Sequence, residues 1–175
     1  MNTSNDSYLL EYRAKGKAKE ILIGEDLMCE LDNLAEDMIS GEYTYDRSDA
    51  LLRIDFIENC VRLTKSPFYG KPFKLLLWQK AFIEAVYSFK TQSTEGTLVD
   101  RFQEILLLIS RKNGKSETIA ALQLAELIIG GKGLDIVCSG QDDGTADLAY
   151  QAIDTMRLLI DPKSVDTWRN QKGIK

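Results

Sequence analysis

The chain has 175 residues, of which 44% are hydrophobic and 28% charged, and it carries a formal net charge of −5 at pH 7. That is globular composition, enough for one domain or one domain with a helical appendage, and it excludes a disordered or fibrous chain. The acidic balance also excludes a protein that coats DNA by general cationic excess, leaving room only for a local basic groove.

The first dozen residues are polar and expected to fray, and they lack the basic segment and long apolar run of a secretory leader. Arg13, Lys15, Lys17 and Lys19 follow as a short basic segment, either a solvated face or a nucleic-acid patch. In "EDLMCELDNLAEDMISG", Leu27, Leu31, Leu34 and Met38 fall on one helical stripe that ends at Gly41. A second amphipathic helix runs through "YDRSDALLRIDFIENCVRLTKSP", capped by Asp46 or Ser48 and closed by Pro67. Ile54, Ile57 and Val61 make its narrow apolar face, widened by Leu52, Phe56 and Leu63. Residues 1–65 are therefore expected to form a small helical subdomain.

"SPFYGKPFKLLLWQKAFIEAVYSFK" leads through turns into a third helix, with Trp78, Phe82, Ala85 and Phe89 as its stripe. Two strand-like stretches follow in "STEGTLVDRFQEILLLIS". The second, Ile105 to Ile109, is a continuous apolar run of the kind covered on both faces. After "RKNGKS", the helix "ETIAALQLAELIIGG" is apolar around most of its circumference and stops at Gly130 and Gly131. "LDIVCSG" predicts another short strand. A final helix has Leu148, Ala152, Met156, Leu159 and Ile160 on one face and Pro162 past its end, before a polar tail. Strand, turn, helix, strand, helix is the start of a parallel α/β sheet. Residues 66–175 are thus expected to form the start of a parallel α/β sheet with helices.

Histidine is absent, which removes imidazole bases, Ser-His and Cys-His pairs and His-containing zinc sites. Cys29, Cys60 and Cys138 lie far apart without C-x-x-C spacing, and they read as buried, reduced thiols. Chemistry here falls to Lys, Arg, carboxylates, hydroxyls or a bound metal. No apolar run reaches the roughly 18 residues of a membrane helix.

The phosphate-loop pattern is G-x-x-x-x-G-K-[ST] between a strand and a helix, because loop amides and the helix N-terminus must approach phosphates closely. Gly114, Lys115 and Ser116 supply its last three elements, while Ile109 stands at the first glycine. Lysine would bring positive charge to the outer phosphates, and the serine hydroxyl would reach Mg²⁺. The plainer alternative is a glycine-containing turn with surface lysines.

"SRKNGKS" resembles the variant phosphate loop of the large terminase subunits of tailed bacteriophages, ATP-driven DNA-packaging motors whose loop does without the first glycine. Ser110, Arg111, Gly114, Lys115 and Ser116 match it position by position. The resemblance implies that Arg111 acts in cis on the nucleotide, since a guanidinium can bind phosphoryl oxygens bidentately as charge redistributes. Arg111, Lys112, Asn113, Gly114, Lys115, Ser116 and Glu117 would then hold ATP, with Arg111 and Lys115 catalytic and Ser116 on the Mg²⁺. "PFKLLLWQK" resembles the family's adenine-reading segment, which makes Gln79 the adenine contact through its paired acceptor and donors. The likeness covers about residues 50–160, and it implies that the sheet of residues 66–175 is an incomplete P-loop NTPase parallel sheet.

What it implies further is a function and a set of partners. The chain would be an N-terminal part of a packaging ATPase working in the host cytoplasm, with double-stranded DNA, a terminase small subunit and the portal of a procapsid as partners. The acidic strand that ends in Asp-Glu in such motors is not found after Ser116, nor is the nuclease domain. The 175 residues alone are therefore expected to bind nucleotide weakly without turnover, and open sheet edges to invite self-association. A non-catalytic prophage remnant and a helicase-type P-loop ATPase are the alternatives.

Overall fold

A computed structural model describes residues 7–131, 134–140, 142–164, 167, 169–170 and 173–174. The protein is mixed α/β. Among the described residues there are six helices, a three-stranded antiparallel sheet and a two-stranded ladder. The backbone gathers into two compact units, each built from two stretches of chain: Met1–Ile54 with Leu75–Leu107, and Asp55–Lys74 with Leu108–Lys175.

The first unit opens with helix α1 (Tyr8–Lys17), whose N-cap Ser7 accepts from the Leu10 N–H at 3.2 Å. Helical order thus begins well inside the stretch expected to fray. Helix α2 (Glu25–Ser40) ends at Gly41 as its pattern predicts, with Leu31 and Leu34 buried while Leu27 stays exposed. Strand β1 (Thr44–Tyr45) precedes helix α3 (Ser48–Cys60), and Asp46 Oδ1 accepts both the Ser48 N–H at 2.9 Å and its hydroxyl at 2.7 Å. Helix α4 (Leu77–Ser88) runs directly into strand β2 (Phe89–Gln92). A turn at Ser93–Thr97 then returns the chain as β3 (Leu98–Asp100). The order is β1-β2-β3, with Tyr45 opposite Phe89 and Lys90 opposite Asp100. Leu9, Leu31, Leu34 and Phe89 form the core of this unit, flanked by Tyr45 and Phe102, whose rings lie 5.1 and 6.2 Å from that of Phe89.

In the second unit, α3 stops at Cys60 rather than at Pro67. Arg62 Nη1 donates to the Asn59 carbonyl at 3.1 Å, and Phe73 N–H pairs with the Val61 carbonyl at 3.0 Å. Residues 61–73 thereby become an antiparallel hairpin joined by the Arg62–Pro72 bridge. Helices α5 (Lys115–Ile129) and α6 (Asp143–Ile160) pack on each other. Thr118, Ala120, Ala121, Leu122, Leu124 and Ala125 are buried on α5, as its nearly all-round apolarity predicts. On α6 the inward face is Ile153, Met156 and Arg157, whereas Leu148 is 68% exposed. Arg157 is buried because Asp154 neutralises it at 2.8 Å and the Ser164 hydroxyl and Thr167 carbonyl accept from it. Strands β4 (Arg169–Asn170) and β5 (Gly173–Ile174) pair within the tail.

Among the described residues no parallel sheet is present, although Ile105–Ile109 and "LDIVCSG" are expected from sequence to supply its strands. Neither segment carries a ladder, and Leu108 and Val137 are 80% and 83% exposed. An apolar run records a preference for burial without naming its neighbour, so it cannot specify pairing on its own. The cysteines are free, but Cys29 and Cys60 are exposed instead of buried. Cys29 lies two residues from inward Leu31 and so on the other side of α2, and Cys60 is the last residue of α3. No helix among the described residues is long and apolar enough to cross a membrane.

Candidate functional site

The turn that precedes α5 is built for an unusual backbone path. Lys112 has φ 69° and Gly114, the N-cap of α5, has φ 76° and ψ 10°. Glycine bears the left-handed conformation there without the strain a Cβ adds. Asn113 Nδ2 donates to the Ser110 hydroxyl at 2.6 Å and ties the start of the turn to its middle. At the far end the Gly114 carbonyl accepts both the N–H and the hydroxyl of Thr118, at 2.9 and 3.0 Å. The buried Thr118 thus fixes the turn to the helix it introduces.

Between these ties, no backbone N–H from Arg111 to Glu117 donates to a protein acceptor among the described residues. Residues 110–116 are all exposed. Arg111, Lys112 and Lys115 make no ion pair with a described carboxylate. Exposed amides at a helix N-terminus, with three cations close along the chain, are chemically suited to an anion. Ser110, Arg111, Lys112, Asn113, Gly114, Lys115 and Ser116 therefore lie together on one turn. Glu117 differs from them, because its Oε1 accepts the N–H and the hydroxyl of Thr64 at 2.9 and 2.8 Å. Its carboxylate is occupied by the base of the 61–73 hairpin.

Gln79 belongs to the first unit and is 3% exposed. Its Oε1 accepts the Leu76 N–H at 2.7 Å, so the side chain reaches back from the first turn of α4 to the residue that caps it. This is the glutamine half of a capping box; the leucine side chain has no acceptor with which to complete the other half.

A second polar cluster of the first unit escaped the sequence reading. The Glu84 carboxylate accepts from the Ser7 hydroxyl, from the Tyr8 N–H at 3.0 Å, from the Tyr45 hydroxyl at 2.5 Å and from Arg47 Nη2 at 3.1 Å. The side chains of Glu84 and Arg47 are 1% and 8% exposed. Burial first, and then donation to Glu84, pushes the Tyr45 phenol above its ordinary value. With donors from α1 and from the β1–α3 segment converging on α4, the cluster is an internal clasp. A charged residue in an amphipathic stretch reads as solvent-facing, and only the tertiary partners turn it inward.

Among the described residues no three His, Cys, Asp or Glu side chains gather in a way that could hold a metal ion. The basic segment of α1 is spent on neighbours, since Arg13 and Lys17 meet Asp32 at 2.5 and 2.7 Å and Lys15 meets Glu11 at 2.7 Å. Those contacts favour the solvated-face reading. No family model matches this sequence, and no curated protein or solved structure is detectably similar to it.

Proposed function

We propose that the 110–117 turn binds the phosphates of ATP and that the chain is the nucleotide-binding part of an ATP-driven motor that packages double-stranded DNA. One observation carries the nucleotide part: an exposed turn at the start of α5 with unengaged amides, two left-handed residues and three cations that meet no carboxylate among the described residues. The resemblance of "SRKNGKS" to the terminase loop supplies the motor, the P-loop type of fold, and the procapsid portal and small subunit as partners.

In this reading Lys115 and Arg111 meet phosphate oxygens, the amides from Lys112 to Ser116 surround them, and the Ser116 hydroxyl faces Mg²⁺. Bound ATP would supply the phosphoryl group whose transfer to water drives movement. The adenine role given to Gln79 draws on the same Oε1 that accepts the Leu76 N–H, so Gln79→Ala tests helix capping and base recognition together.

Binding is the property to measure first, by titration calorimetry with ATP and Mg²⁺. Lys115→Ala and Arg111→Ala are each expected to weaken ATP by tenfold or more, on the order of the 1.5–3 kcal/mol of a hydrogen bond to a charged group. ATP affinity that is tight and indifferent to Lys115→Ala would defeat the assignment.

A further inference from the structure

A different part of the second unit is rich in positive charge, and it does not depend on the nucleotide reading. From Asn59 to Ile83 the sequence has no Asp or Glu, and the part of that stretch in the second unit contains Arg62, Lys65, Lys71 and Lys74, in a chain whose net charge is −5. The hairpin of residues 61–73 folds the first part of that stretch into an ordered projection.

Its backbone is held closely. Leu63 N–H donates to Lys71 at 2.9 Å, Gly70 N–H to Leu63 at 2.8 Å, Phe68 N–H to Lys65 at 2.9 Å and Lys71 N–H to Phe68 at 3.0 Å. Phe73 is 5% exposed and anchors the base, whereas Phe68 and Tyr69 at the tip are 54% and 59% exposed. The rings are therefore presented on a fixed backbone rather than left loose.

The cations divide in the same way. Arg62 and Lys74 turn back to carbonyls of the α3 end, at 3.1 Å from Asn59 and 3.5 Å from Glu58. Lys65 and Lys71 are exposed and meet no carboxylate among the described residues. Lys71 Nζ sits 5.3 Å from the Phe68 ring centroid, so ammonium and ring make one contiguous surface. Two exposed aromatic rings between two free ammonium groups match a partner with alternating flat faces and negative charges. Single-stranded nucleic acid has that pattern, offering bases to stack and phosphates to pair. In a duplex the base faces are already stacked on each other.

We propose that the tip of the 61–73 hairpin is a contact site for single-stranded nucleic acid, with Phe68 and Tyr69 stacking on bases and Lys65 and Lys71 pairing with phosphates. The test is fluorescence anisotropy of the 175-residue chain with a labelled 20-nucleotide single strand, the matching duplex and vesicles containing anionic lipid. The single strand should bind tighter than the duplex. Phe68→Ala with Tyr69→Ala should weaken the single strand by about tenfold or more, as loss of base–aromatic stacking does elsewhere. Lys65→Ala with Lys71→Ala should lower the slope of log affinity against log salt by about 1.4, at about 0.7 per phosphate contact. Lys15→Ala, a cation already paired with Glu11, should change neither property. These tip side chains are exposed, so circular dichroism should show folded variants. Equal affinity for the wild type and the aromatic variant, a preference for duplex, or hairpin-dependent binding to vesicles alone would each overturn the proposal.

Discussion

The Glu84 cluster and the 110–117 turn are both concentrations of polar groups, and they are built in opposite ways. Around Glu84 a carboxylate is taken out of water and given donors from Ser7, Tyr8, Tyr45 and Arg47. Along 111–117 the backbone N–H groups and the three cationic side chains meet no protein acceptor among the described residues, apart from the tie that Asn113 makes to Ser110 with its side chain. Burying a charge is tolerable only when it is well paired, so the first arrangement commits its groups to the fold. The second leaves its groups for something outside the chain. Polarity alone does not separate structure from recognition; the location of the partners does.

The sharpest way to break the comparison is to remove the buried carboxylate. Glu84→Ala removes the buried carboxylate that accepts from Ser7, Tyr8, Tyr45 and Arg47 together, and the expected loss is about 3–5 kcal/mol, read as a lower urea midpoint. Lys115→Ala should leave that midpoint within about 0.5 kcal/mol, as substitutions of exposed side chains usually do. If the two variants were equally destabilised, the distinction between the regions would fail.

Tyr45→Phe is a milder probe, removing one hydrogen bond at a cost of about 1 kcal/mol near neutral pH. The phenol is raised above its ordinary 10.0, so its contribution is fully present below that pH and is lost as alkali ionises the folded state. Wild-type stability should fall above about pH 10 with a steeper slope than that of the variant, followed by denaturant unfolding across pH. Asp46 gives the acid-side counterpart. The Ser48 hydroxyl and N–H hold its carboxyl below the ordinary 3.8, so the stabilisation is present above that pH and fades as acid protonates the folded state. Asp46→Ala should cost about 1 kcal/mol at pH 7 and close to nothing once wild type is protonated. Thr64→Val is the smallest expected change. It removes the hydroxyl donor to Glu117 but keeps the backbone N–H, and about 0.5–1 kcal/mol of stability should go with it.

Local punctuation was legible in the sequence. Gly41, Gly130 and Pro162 mark helix ends because glycine and proline act on the backbone where they stand. Ile54, Ile57 and Val61 are buried as their spacing predicts. Strand β2 was not legible, since Phe89 continues the apolar period of α4 and only pairing with Thr44–Tyr45 and Leu98–Asp100 draws it into a sheet. The face of α4 was misjudged for a related reason, because Glu84 lies inward while Trp78 and Phe82 are only half-buried. Of the candidate site, the turn and its cations could be read directly from "SRKNGKS". The link from Glu117 to Thr64 spans 53 positions and has no local signature.

That link has a mechanical meaning. Thr64 presents its two donors to a single oxygen of Glu117, which couples the opening turn of α5 to the root of the 61–73 hairpin at one joint. Glu117 therefore serves two segments at once, opening α5 along the chain and fastening the foot of the hairpin from the side.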